Sequence, residues 1–331
     1  VAVGDDRIFV SGDFTHVGGV PQPRTYLAAL DTMNGEVTDW NPGANSVATT
    51  LLVHGDTLYA GGWFTQVGGQ TRSSLAAIDA RTGEVTSWNP KANLPVLALA
   101  RSVNTMYVGG LFDHVGGQVR QGIAAVDATT GDVTAWNPGT DNDVVESLLV
   151  AGNTVYVGGG FNQIGGQARR GLAAIDAVTG AATAWNPSPV EWDLFNPRIR
   201  ALALAGSCLY VGGDFSSIGG QPRICLAAVD TSSGLATDWD PGADGLVWSL
   251  AAEGNTLYVG GGFTRAGGLP AAGLAAFTLP QGPVPAPKSF ALAQCAPNPA
   301  RSNATIQCVL PAAAPVTLSV YDLQGRRIAT L

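Results

Sequence analysis

The feature that most constrains this chain is a tandem repeat. Trp-Asn-Pro recurs at Trp40, Trp88, Trp136 and Trp185 and returns as Trp-Asp-Pro at Trp239, with spacings of 48, 48, 49 and 54 residues. A second anchor, Gly-x-Phe followed after three residues by Gly-Gly, appears six times, at Phe14, Phe64, Phe112, Phe161, Phe215 and Phe263. A unit that recurs at such a period is one supersecondary element, which buries its apolar face only by stacking on its neighbours. Six copies therefore occupy residues 1–278.

Each copy reads as four short strands, as in Val96–Ala100, Thr105–Gly110, Ile123–Asp127 and Val133–Trp136, with no long helical period between them. Short Gly-containing turns such as "AGNT" join the first two strands, and Asp-x-x-Thr/Asn/Ser-Gly joins the third and fourth. Both are hairpin chemistry, with glycine supplying a positive φ and Asp accepting turn amides. Four antiparallel strands per copy, six times over, predict an all-β fold, a β-propeller of about six four-stranded blades. The first copy begins late in its first strand and the sixth stops without a fourth, so the blade count is read as six or seven.

The combination of "GGxFTxVGG", "LAAIDxxTGxV" and "WNPxAN" resembles the bacterial delta-sixty type of β-propeller repeat over about 280 residues. That resemblance implies an extracellular or cell-surface protein and supplies no catalytic residue.

Composition removes other classes. With 17 Lys+Arg against 25 Asp+Glu and a net charge of −8, the chain lacks the positive field that nucleic acid or an anionic membrane surface requires. At 46% hydrophobic and 13% charged residues it buries a core rather than staying disordered. The longest apolar runs, such as "ALALA" at 201–205, fall short of the ~18 residues of a membrane span.

After residue 278 the composition changes. Residues 279–289 form a Pro-rich linker, and a new unit starts at Phe290. Pro297-Asn298-Pro299, Thr305-Ile306, Leu310-Pro311 and Val316–Arg327 resemble the start of the C-terminal immunoglobulin-like domain of type IX secretion sorting domains and flagellar hook-capping proteins. Residues 290–331 are thus expected to be a truncated β-sandwich. The likeness implies partners in the secretion or cell-surface machinery; the alternative is an ordinary appended module.

Strand parity places the Gly-rich second-to-third loops and the fourth-to-first loops on one face of the array, with the short hairpins on the other. The longest fourth-to-first loop, "NPSPVEWDLFNPR", carries Trp192 and Phe195. Aromatics in a long loop over a rigid scaffold point to a protein or glycan ligand, or else to a plug for the central channel. Asp141, Asp143, Glu191 and Asp193, with Asn45, Asn93 and Asp244, lie near the starts of the first strands, where converging oxygens could hold Ca²⁺. Against this, no compact Asp-x-Asp-x-Asp loop is present, and the expectation is of no cofactor.

Residues that recur in five of the six copies read as architecture. Arg24, Arg72, Arg120, Arg169 and Arg223 are expected to bond loop carbonyls or a nearby Asp, and the Trp rings to pack one copy on the next. His16 and His114 hold equivalent positions in the non-adjacent copies one and three, and His54 lies in a hairpin turn on the opposite face, so the three are not expected to make a metal centre. Cys208 and Cys225 are predicted at opposite ends of one hairpin, ~17 Å apart and beyond disulfide reach, whereas Cys295 and Cys308 could pair. "AAIDARTGEVTSW" also resembles the propeller repeat of quinoprotein dehydrogenases, without that family's adjacent cysteine pair. The expected function is a non-catalytic binding module. The alternatives are an enzyme acting on carbohydrate or using a quinone, and a structural spacer.

Overall fold

The computed structural model describes residues 1–19, 23–141, 143–191 and 196–279, and the backbone of four short strands beyond them. The chain divides into two units, Val1–Leu279 and Pro280–Leu331. Among the described residues there are strands and turns and no helix, and so no helix long and apolar enough to cross a membrane.

In each copy the middle strand is the centre of the sheet. Thr105–Gly110 is apolar on both faces, and it pairs antiparallel with Val96–Ser102 on one side and Ile123–Asp127 on the other. The same three-stranded sheet recurs around the middle strands Arg7–Ser11, Thr57–Gly62, Thr154–Gly159, Cys208–Asp214 and Thr256–Gly261. Their third strands are Leu27–Asp31, Leu75–Asp79, Leu172–Asp176, Leu226–Asp230 and Leu274–Thr278, and the first strand of copy one is only Ala2–Val3. In copies two to six the paired glycines near the end of the middle strand are required by close approach. A Cβ on Gly110 would lie 2.2 Å from the Pro95 carbonyl oxygen and 2.9 Å from Val96 Cα, both backbone atoms that cannot yield.

The first strands Ala48–His54, Val96–Ser102, Val145–Ala151, Arg198–Ala205 and Val247–Glu253 pack in chain order, each against the next. All five carry a β-bulge near the start, at Thr49, Leu97, Glu146, Arg200 and Trp248, where the register against the middle strand slips by one residue. A bulged residue leaves the ladder and re-aims its side chain.

Two expectations are corrected. The fourth strand does not form; its remnant is one bridge per copy in copies one to five, such as Val126↔Val133. The physical reason lies in the next residues. Both the N–H and the hydroxyl of Thr134 donate to the Ala125 carbonyl, and Trp136 then leaves the sheet for the following copy, ahead of a proline that has no N–H for a ladder. The Gly-rich second-to-third loop, in turn, is itself a small hairpin in copies two to six, with His114–Val115 paired to Gln118–Val119. Gly116 and Gly117 sit at φ +57° and +76°, the two successive left-handed residues of a tight hairpin turn.

The copies are joined by a repeated lock. Trp88 Nε1 donates to the Asp127 carbonyl of the next copy at 3.0 Å, and Trp40, Trp136 and Trp185 do the same to Asp79, Asp176 and Asp230. Each ring meets an aromatic of its own copy edge to face. Trp88 lies 5.2 Å from Tyr59, and Phe9, Tyr107, Tyr156 and Tyr210 serve Trp40, Trp136, Trp185 and Trp239. Phe14 is half-buried, whereas Phe64, Phe112, Phe161, Phe215 and Phe263 are buried.

The five arginines tie each copy to its own fourth segment. Arg72, Arg120, Arg169 and Arg223 donate through Nη2 to Thr86, Thr134, Thr183 and Thr237 carbonyls at 2.6–2.7 Å, and Arg24 donates to Thr38 at 2.9 Å. Cys208 lies opposite Asp230 and Gly212 opposite Leu226, which sets Cys225 at the far end of the pairing, and both thiols are free.

In the second unit, Ala291–Leu292 pairs antiparallel with Cys308–Val309, and Ser319–Tyr321 with Arg327–Thr330. The Pro-rich linker, the Pro297-Asn298-Pro299 element and the Cys295–Cys308 pairing fall outside the described residues.

Candidate binding face

The two sets of loops do share a face. In five copies a single bridge joins the fourth-to-first loop to the glycine hairpin, as in Ala92↔Val115 and Ala243↔Ala266. A side-chain cap reinforces it. Asn93 Oδ1 accepts the Asp113 and His114 amides at 3.2 and 3.0 Å, Asn45 Oδ1 those of Thr65 and Gln66, and Asp244 Oδ1 those of Thr264 and Arg265, both at 2.8 Å. Asp141 takes the same role toward the Asn162 amide.

Four of the residues nominated for Ca²⁺, Asn45, Asn93, Asp141 and Asp244, thus cap amides of the glycine hairpins. Asp143 Oδ1 accepts its neighbour's amide, from Val144 at 2.7 Å, and its residue lines a cavity of about 250 Å³ with Leu111, Phe112, Asp113 and Gly122. Glu191 follows Val190, which bridges Ser217, and its charge acts on Cys225. Burial first, then the Asp214 and Glu191 carboxylates, push that thiol up against a countering Phe215 backbone bond. Among the described residues no three His, Cys, Asp or Glu side chains gather into a cation site. Trp192, Asp193 and Phe195 lie outside the described residues. His114 Nδ1 sits 2.7 Å from Asp113 Oδ1, an exposed local pair that, with Asn93, holds the Asp113 carboxyl low.

What sequence reasoning missed is the row of bulged residues. The residue just before the bulge is a small or branched aliphatic in every one of these strands (Ala48, Val96, Val145, Ile199, Val247) and a leucine stands two residues after it (Leu51, Leu99, Leu148, Leu202, Leu250), yet the bulge holds Thr49, Leu97, Glu146, Arg200 and Trp248 in turn. Thr49 Oγ1 donates to the Val96 carbonyl at 2.7 Å and belongs to the scaffold. Glu146 is largely buried, and its Oε1 accepts from Arg198 and faces Arg200 Nη1 at 3.7 Å. The Trp248 ring lies over Gly262, where a Cβ would come within 3.1 Å of Cζ2, and remains 56% exposed. Trp63, which follows the paired glycines of copy two, is also exposed. The legible signal was a non-repeating residue inside a repeating strand.

Clefts open between copies on the same face. The one between copies five and six is about 490 Å³, floored by Pro222, Ile224, Pro241 and Ala243. Arg223 Nη1 meets Asp240 Oδ2 there at 3.4 Å, and Arg265 Nη2 donates to the Gly268 carbonyl at 2.7 Å. Asp240 stands where the other copies have Asn, and Arg265 where they have His16, Gln66, His114, Gln163 and Ser217. The hairpin face has a smaller, polar cavity of about 340 Å³, lined by Asp5, Asp6, Asp56 and Arg81 among others.

No family model and no curated protein sequence matches this chain. Among solved structures, a chain in the crystal structure of the mitotic checkpoint complex is similar at 15% identity and TM-score 0.53, over 91% of this chain and 76% of the other. The computationally designed Ika8 protein aligns over 92% of this chain and 80% of its own, at 18% identity and TM-score 0.47. The extracellular domain of the putative hybrid two-component system BT4673 of B. thetaiotaomicron aligns over 72% of this chain and 28% of its own, at 18% identity and TM-score 0.49. At these identities what is shared is fold: an all-β chain of small, repeated antiparallel sheets.

Proposed function

We propose that residues 1–279 form a propeller-type array that works, without catalysis, as an extracytoplasmic binding module, and that its ligand is a glycan gripped at the row of bulged residues. The observation that carries this reading is the contrast at the bulges. Structural bonds repeat from copy to copy, whereas the re-aimed side chains differ: Glu146 and Arg200, which cluster with Arg198, and on the next first strand the exposed Trp248 ring. Charged forks that donate and accept, with an aromatic face on the neighbouring strand, suit hydroxyl-rich sugars; a protein ligand would use the same surface through its backbone. The role needs no cofactor. The unit at 280–331 would export or anchor the protein in a bacterial cell envelope, a reading supported by its sequence motifs.

A glycan array with the full chain tests this. Wild-type protein is expected to retain a restricted set of sugars without turnover, Trp248→Ala and Arg200→Ala to lose them, and Asp56→Ala on the hairpin face to bind as wild type. Cleavage or oxidation of a retained sugar, or full binding by the two loop-face variants, would overturn it.

A further inference from the structure

Because the joints between copies repeat, a site that one joint adds stands out as residues the others lack. A cleft of about 530 Å³ opens between copies two and three, walled by Asn89 and Lys91 behind the locking Trp88, by the turn of the glycine hairpin and by Asp132. The scaffold fixes these walls. The Gly116 N–H donates to the Lys91 carbonyl at 3.1 Å, and Gly131 packs so closely that a Cβ there would lie 3.3 Å from the Asn89 nitrogen. None of the bulged residues lines this cleft, so it is a second place on the array.

Its chemistry is peculiar to this joint. Lys91 stands where other copies hold Gly43, Gly139, Ser188 and Gly242, and at φ +59° it makes with a Cβ a left-handed turn that three of those make with glycine. Only here does a lysine share the joint with an acid: the joint before combines Gly43 with Glu84, and the next two combine Gly139 with Ala181 and Ser188 with Leu235. Lys91 and Asp132 form no ion pair with each other or with any other described residue. Asn41, Asn137 and Asn186 are exposed, whereas Asn89 is half-buried and its Oδ1 is buried without a hydrogen-bond partner. A buried acceptor left unmet is costly until a donor reaches it.

We propose that this cleft binds a small zwitterion, a free α-amino acid or a dipeptide. Lys91 donates to the ligand carboxylate, and the ligand ammonium donates to Asn89 Oδ1 and to Asp132. A cleft of this size suits such a molecule, and no aromatic ring lines it for a sugar to stack on. A simple anion would leave both acceptors unmet, and a simple cation would leave Lys91 unpaired; a zwitterion meets all three groups without adding net charge.

The test is isothermal titration of the full chain with each common L-amino acid and with alanyl-alanine. At least one is expected to bind, and its des-amino acid and its carboxamide to bind far more weakly. Lys91→Gly and Asp132→Ala install residues that other copies hold at the same places, so both variants should keep the fold. Each should weaken binding about tenfold or more, the loss of one charged hydrogen bond. Glu84→Ala at the preceding joint and Trp248→Ala in the bulge row should bind as wild type, which separates this site from the sugar reading. No heat from any probe at millimolar concentration would overturn the proposal. Undiminished binding by Lys91→Gly or Asp132→Ala, or equal binding of the two analogues, would overturn it as well.

Discussion

Replacing Trp88 by alanine is the sharpest probe of what holds the copies together. The ring is 3% exposed, donates to the Asp127 carbonyl at 3.0 Å and meets Tyr59 edge to face at 5.2 Å. Burying an aromatic of 150–250 Å² is worth ~4–6 kcal/mol at about 25 cal/mol per Å². The edge-to-face contact adds about 1 kcal/mol, and the stranded carbonyl costs about another 1 kcal/mol. Partial collapse of the neighbouring sheets offsets some of this, so the expected loss is ~3–5 kcal/mol. Trp88→Phe keeps most of the packing and loses the donor, and should cost ~1–2 kcal/mol. Urea unfolding read by far-UV circular dichroism gives both numbers, and Trp136→Ala should match Trp88→Ala because its geometry is the same. If Trp88→Ala cost under about 1 kcal/mol, or if Phe and Ala cost the same, the joint would not depend on the indole as argued.

Three further outcomes follow from the same geometry. Gly110→Ala forces a Cβ onto the Pro95 carbonyl and should cost ~2–3 kcal/mol, whereas Gly117→Ala, with open space but φ +76°, should cost only ~1 kcal/mol; their urea midpoints rank them. Arg120→Lys cannot keep the Nη contacts to Thr134, Val119 and Gln118 together and should lose ~1–3 kcal/mol in the same assay. The Ser232 and Ser233 hydroxyls and amides hold the Asp230 carboxyl at about 2, below its ordinary value, so its contribution is present above the unfolded pKa of ~3.9 and disappears as pH falls toward about 2. Melting temperature measured from pH 5 down to pH 2 should therefore fall less steeply for Asp230→Asn than for wild type.

The repeat period, the strand and turn chemistry, the locking Trp and the shared loop face were legible because each is local and recurs. The fourth strand was not. Val133-Thr134 has strand propensity, but the indole of Trp136 finds its acceptor 40 residues downstream, and no local rule contains that pull. The Tyr partners were readable in retrospect, since an aromatic stands at the same place in every middle strand from Phe9 to Tyr258. Asp141 and Asp244 cap amides about 20 residues away, a partner that spacing alone does not reveal. The bulge leaves only a negative trace in the sequence, a position that fails to repeat.

The central claim, that the bulge row and not the hairpin face meets the ligand, is tested most directly by hydrogen–deuterium exchange with a sugar retained on the array. The account predicts slowed exchange at the strand starts, residues 144–147, 198–201 and 246–249. Protection centred on the opposite turns, 55–56, 152–153 and 206–207, or none at saturating sugar, would contradict it.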